Sequence, residues 1–405
     1  MYIYNVYMWP KLSKVLPLPF WSALGTSFLF LFVIAGALYF SKHLDRPITL
    51  VKSFLVSPQS KPAPKYEVIG FLPSWNAAKE VEFDTSNLTQ IIYFGFGVNA
   101  QGEIIQYGND GKETLEWVYF RSPYFKSIRE RAKKTDTKIL VAIKNFDNKN
   151  IDDLISNPYT SDKFITQLIK LVKDNKLDGV NIDFEYFTDS DFPTFKHLNN
   201  FFTKLNEKLK AENPNYIISA DFNASAVAAD PAYDMVKLGE VIDQIILMGY
   251  DYSTTASSQA TPVAPLYSNE GEASIDHSIT SMKGRVPLDK VILAIPFYGY
   301  EWQTVNNKFK SQTIPETGAI ATYDRVTQLI NNRNDIEINW DNTSLTPWIS
   351  YYQSGASKQI YYENEQSIAK KLDYIQKSKI GGVGIWAIGY EGENKAFWEL
   401  IKKLK

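Results

Sequence analysis

Asn181, Asp183 and Glu185 stand at alternate positions in the stretch KLDGVNIDFEYF, residues 176–187, with Val180, Ile182 and Phe184 between them. Side chains along a strand point alternately to opposite faces, so the three polar groups share one face and the three apolar ones the other. In isolation that pattern describes an ordinary half-solvated strand. The chemical alternative lies in the carboxylates. Two of them held close together push each other's protonation apart, leaving one neutral as an acid and one ionised. Cleavage of a glycosidic bond uses such a pair.

The surrounding elements decide between the two. From Tyr66 onward eight short apolar runs recur: EVIGFLPSW, LTQIIYFGFGV, KILVAIKNF, DGVNIDFEYF, YIISADFN, DQIILMGYDY, VILAIPFYGYEW and GGVGIWAIGY. The stretches between them have helical spacing where it can be checked, as at Phe192, Phe195, Leu198, Phe202, Leu205 and Leu209. Alternating strand and helix predicts an α/β chain folded as a (β/α)8 TIM barrel over residues 66–402, with an open doubly wound sheet as the alternative. No glycine-rich phosphate fingerprint follows any run, which weighs against that alternative. The seventh run ends near Trp302 and the eighth begins near Gly381. The residues between, taken as 303–365, read as a small α+β insertion between strands 7 and 8, followed by the crossover helix. In a barrel the inward side chains are packed away from water, and the upper strand ends open onto the catalytic face. Asp183 and Glu185 fall at such an end, where uncompensated burial is costly and a purely structural reason is hard to supply.

No charge interrupts the run from Val15 to Ser41. It is long enough to span a bilayer, so residues 20–41 are expected to form a transmembrane anchor after a short N-terminal segment, 1–19. A cleaved signal peptide is the alternative. The proline-rich stretch within 42–65 suits an extended linker. The net charge of −2 gives no sign of a nucleic-acid partner. Cysteine is absent, and the three histidines, His43, His197 and His277, are scattered, which excludes thiolate chemistry and argues against a zinc site or a serine–histidine triad. No cofactor or metal is expected. Aromatic residues make up 14% of the chain, which fits either a large core or a ring-lined groove.

These residues resemble the signature of family 18 glycoside hydrolases, the chitinase-type enzymes that cut beside N-acetylglucosamine. The family pattern D-x-x-D-x-D-x-E reads here as Asp178, Asn181, Asp183 and Glu185, followed by Tyr186. MGYDY, with Met248, Tyr250 and Asp251, resembles the family's M-x-Y-D. PFYGYEW, with Tyr298, resembles its P-x-Y-G stretch, and GGVGIW supplies Trp386 where the family has the tryptophan that floors the sugar site. The resemblance implies a retaining, substrate-assisted reaction on β-1,4 bonds. Glu185 would be general acid and then base, while Asp183 would orient the N-acetyl group whose carbonyl oxygen attacks the anomeric carbon. Tyr250 would donate to that oxygen and Trp386 would stack under the sugar. Asp251, Met248, Tyr298, Tyr186 and Asn181 complete the expected binding residues. Tyr298 and Trp302 either line the groove or pack beneath the insertion.

Two departures qualify the match. Asn181 replaces the middle aspartate, removing a group that could share a proton with Asp183. The third run ends AIKNFD where chitinases carry S-x-G-G, and its Asn145 and Phe146 look more like bacterial members acting on cell-wall or spore peptidoglycan. The expected substrate moves from bulk chitin toward peptidoglycan-type glycan. To meet such a glycan the folded domain is expected outside the cytoplasm, held by its membrane anchor. A non-catalytic, lectin-like carbohydrate-binding protein is the rival reading, which the presence of Glu185 opposes.

Overall fold

A computed structural model describes residues 66–185, 194–224, 227 and 233–405. The expected segment 1–19, anchor 20–41 and linker 42–65 lie outside the described residues, as does Tyr186. Among the described residues no helix is long and apolar enough to cross a membrane.

Seven strands follow in chain order: β1 (Glu67–Pro73), β2 (Gln90–Gly97), β3 (Lys138–Asn145), β4 (Gly179–Phe184), β5 (Ile217–Asn223), β6 (Gln244–Met248) and β7 (Val291–Pro296). Five more, β8 (Tyr298–Thr304), β9 (Ala319–Thr322), β10 (Glu337–Asp341), β11 (Thr346–Gln353) and β12 (Ala356–Tyr361), precede β13 (Gly382–Trp386). Strands β1 to β7 and β13 form a closed parallel barrel in which β13 lies between β7 and β1. The open doubly wound sheet is thereby ruled out. At the seam the backbones approach so closely that a Cβ on Gly382 would sit 2.1 Å from the Glu67 carbonyl oxygen.

Period-two patterning sorts the side chains. Ile69, Phe71, Ile92, Phe94, Leu140, Ala142, Ile246, Ile292 and Ala294 pack together as one buried cluster in the barrel interior. Their neighbours in sequence, among them Val68, Ile91, Val141 and Ile245, belong to a second cluster shared with the surrounding helices. The helix Thr194–Glu212 buries Leu198, Phe202, Leu205 and Leu209 on the face anticipated from their spacing. All six residues of β4 are buried, so the half-solvated reading of this strand fails: its polar face is the barrel interior.

Helix Pro158–Asn175 delivers the chain to β4. The Asn157 side chain accepts from Tyr159 N, a proline occupies its first turn, and it ends at Lys176 in the left-handed conformation. Asp178 then accepts from Ile139 N at 2.8 Å, fixing β4 against β3 at the base of the barrel.

Strands β8 to β12 form a separate antiparallel sheet in the order β10-β11-β12-β8-β9. The seventh apolar run, read through to Trp302, divides at Phe297, and its second half is β8. Trp302 is fully buried with Trp348 and Tyr361 in this sheet's own core, and its indole donates to Thr254 O at 3.2 Å. It packs rather than lines the pocket.

Candidate active site

The C-terminal ends of the barrel strands converge on a pocket of about 220 Å³. Asp183 and Glu185 enter from β4, Met248, Tyr250 and Asp251 from the end of β6, Tyr298 from the start of β8 and Trp386 from the end of β13. Seven of the nine residues singled out from the sequence thus meet in one place. Asn181 lies beneath them, fully buried and not in the lining.

Tyr250 and Asp251 are adjacent, and in a continuous strand they would face opposite ways. β6 has ended at Met248, and Asp251 takes a left-handed backbone with φ of 58°, a conformation aspartate tolerates better than most residues. That turn lets both side chains reach the pocket. Asp251 Oδ1 accepts from the hydroxyls of Tyr298 at 2.5 Å and Tyr300 at 2.9 Å. Tyr298 therefore lines the pocket with its ring and holds Asp251 with its hydroxyl.

Trp386 is half-buried and gripped by other rings. Phe94 meets it edge-on with centroids 4.7 Å apart, Phe71 lies 5.7 Å away, and Trp75, itself 39% exposed, lies 6.2 Å away. Such packing fixes the plane of the indole before any ligand arrives.

Burial pushes every carboxyl here upward. Asp183 rises well above the usual carboxylate range because it is desolvated and faces Asp221 and Glu185, while Lys144 pulls the other way. Glu185 is raised first by burial and then by Asp251. Burial also raises Asp251, against the two phenol donors. Asp221 is pushed up to about 8 by burial and Glu185, with the Asn181 amide opposing. The Tyr250 hydroxyl, desolvated and surrounded by carboxyls, stays a neutral donor. The arrangement offers an acid that keeps its proton above its ordinary range, a second carboxyl beside it, a phenolic donor and a flat apolar platform.

Asp221, Asn223, Lys144, Trp75 and Phe94 also line the pocket and were not anticipated. The signal for Asp221 is present. In YIISADFN, Ser219, Asp221 and Asn223 alternate with Ile218, Ala220 and Phe222, repeating the pattern of β4 one strand later. Phe146 lines the pocket rim and is 47% exposed, whereas Asn145 is buried and donates to Val98 O at 2.9 Å, outside the lining.

A family model described as glycosyl hydrolases family 18 matches residues 67–391. The chain is 27% identical over 267 residues to an uncharacterized glycosylase, YvbX, of Bacillus subtilis, covering 65% of this chain and 71% of that protein. Among solved structures it resembles a class V chitinase from Nicotiana tobaccum in complex with NAG4, with TM-score 0.73 and 18% identity over 84% of this chain and 98% of that one. It also resembles the spore cortex-lytic enzyme SleL of Bacillus megaterium QM B1551, with TM-score 0.67 and 19% identity over 84% of this chain and 75% of that one. At these identities the structural likeness concerns the fold.

Proposed function

This chain belongs to glycosyl hydrolases family 18, and from that membership we propose that it cleaves β-1,4 bonds beside N-acetylglucosamine in a polysaccharide by a retaining, substrate-assisted route. The observation that carries this reading is the meeting of Glu185, Asp183 and Tyr250 with Trp386 in one pocket. Glu185, its carboxyl held protonated by burial and Asp251, gives its proton to the glycosidic oxygen as the C–O bond breaks. The carbonyl oxygen of the substrate's own acetamido group attacks the anomeric carbon, so no enzyme carboxylate forms a bond to sugar. Asp183, ionised, accepts the amide N–H and balances the charge of the oxazolinium, while the Tyr250 hydroxyl donates to the acetyl oxygen. Glu185, now a carboxylate, takes a proton from water, which attacks the same carbon from the face the leaving group vacated as the bond from that carbon to the acetamido oxygen breaks and the N-acetyl group is restored. Trp386 stacks under the ring.

Peptidoglycan-type glycan is the preferred substrate over chitin. The AIKNFD end of β3, which sets Lys144 and the exposed Phe146 at the pocket, supports this. The domain is further proposed to act outside the cytoplasm, tethered through residues 20–41. The uncharged run 15–41 supports this placement, and a C-terminal reporter fusion active only in the cytoplasm would refute it.

The deciding experiment is hydrolysis of soluble N-acetylglucosamine oligomers by the full chain beside Glu185→Gln. Cleavage in the wild type that disappears in the variant while calorimetric binding persists supports the reading. Binding without turnover by both proteins would replace it with a lectin-like role.

A further inference from the structure

Asp183 has a second buried carboxyl beside it on the neighbouring strand. The register pairs Asn181 with Ser219 and Ile182 with Ala220, so one step further, at the mouth of the barrel, Asp183 comes level with Asp221. Both line the pocket, and they are 3% and 6% exposed. Beneath them the Asn181 amide nitrogen is turned toward β5, 3.1 Å from Ser219 Oγ and 2.8 Å from Asp221 Oδ1. Among the described residues nothing hydrogen-bonds Asp183 Oδ1.

Two adjacent buried carboxylates cannot both ionise cheaply, so such a pair titrates as a unit and retains one proton between its two steps. Asn181 cannot supply the second carboxyl, because an amide holds no titratable proton. It does present its N–H to the side chain that can. We propose that Asp221 is the proton-sharing partner of Asp183, taking from the adjacent strand the place left open by Asn181. The pair keeps a single proton and a single negative charge throughout. When an acetamide N–H reaches Asp183, the O–H bond on Asp183 breaks as one forms on Asp221, leaving Asp183 anionic with no net change of charge in the pocket. Asp221 thus acts through Asp183 as a positioning residue. The upward shift of both groups accords with this.

The catalytic consequence rests on the substrate-assisted reading, but the shared proton does not, and the two are tested separately. Lys144 from β3, Glu185 just beyond β4 and Tyr250 beyond β6 face the pair, with Asp251 acting on Glu185 and Tyr250, and all are left unchanged in the variants. In the full chain with carbon-13 labelled aspartate carboxyls, the wild type should show Asp183 and Asp221 titrating in two separated steps. Asp221→Asn should collapse these to one step lying between them, and Asn181→Asp with Asp221→Asn, which returns the carboxyl to β4, should restore two. With N-acetylglucosamine oligomers, Asp221→Asn should move the acidic limb of kcat to higher pH by about one unit, a tenfold loss at a fixed acidic pH. The double variant should move it back. A two-step titration of Asp183 that survives in Asp221→Asn overturns the proposal. So does an acidic limb that stays in place, or one that moves but is not restored in the double variant. A wild type that cleaves no oligomer defeats the reaction assigned above, and the titration still decides the shared proton.

Discussion

Replacing Tyr298 by phenylalanine removes one hydroxyl and little else. The ring is 4% exposed and packed against Tyr250 and Tyr300 at centroid separations of 6.0 and 5.6 Å, so the phenyl group keeps its contacts. What is lost is the 2.5 Å bond to Asp251 Oδ1, leaving the 2.9 Å bond from Tyr300. Hydrogen bonds to charged groups contribute about 1.5–3 kcal/mol, which corresponds to a rise of about one to two units in the Asp251 pKa. The pKa of Asp251 already lies above its ordinary value in the folded chain, so its ionisation opposes folding wherever it is charged, and the variant increases that opposition. The destabilisation should therefore be small below the wild-type folded pKa, grow as pH rises through the raised pKa of the variant, and level off above it. Denaturant unfolding of both proteins at several pH values measures the difference. A loss of equal size in acid and at neutral pH would refute the link to Asp251 ionisation and leave only a packing defect.

Trp386→Ala should weaken oligomer binding by about tenfold, since ring stacking beyond area burial contributes about 0.5–1.5 kcal/mol and the apolar contact adds to it; calorimetry with N-acetylglucosamine oligomers reads this directly. The alkaline limb of kcat/KM should lie above the ordinary glutamate range, because burial and Asp251 keep Glu185 protonated to higher pH. A pH profile whose alkaline limb falls in the ordinary range would contradict the acid role. Lys371 and Glu363 form a 2.7 Å ion pair with side chains 0% and 1% exposed. Lys371→Met should cost about 3–5 kcal/mol near neutral pH by stranding the carboxylate, and adding Glu363→Leu should return most of it. Thermal unfolding of the single and double variants checks both.

The barrel strands were legible because strands buried on both faces are written as near-continuous apolar runs, and each of the eight runs contributes one barrel strand. The boundary inside VILAIPFYGYEW was not. Apolar and aromatic residues continue across Pro296 and Phe297, and periodicity cannot tell a strand that stays in one sheet from a chain that leaves it for another. Asp183 and Glu185 could be found from their alternation, yet Asp221, carrying the same alternation, was passed over. Its importance lies in the pairing of β4 with β5, a relation between segments that no single window of sequence contains. Trp75 and Phe94 were hidden for a different reason: an aromatic residue near the end of a strand has the same pattern whether it faces a helix or a cavity.

The seam between β1 and β13 joins nearly the first and last strands of the described chain, and Trp386 is the final residue of the closing one. During synthesis every carboxyl of the pocket has emerged long before that indole. Without β13 the barrel would lack its closing strand, and Asp183 and Glu185 would lose part of the burial that raises them. The site consequently carries its own timing. A chain ending before β13 would therefore hold both carboxyls without the burial that raises them, and on the proposed reading its loss of cleavage would report on completion of the fold as much as on the presence of Glu185.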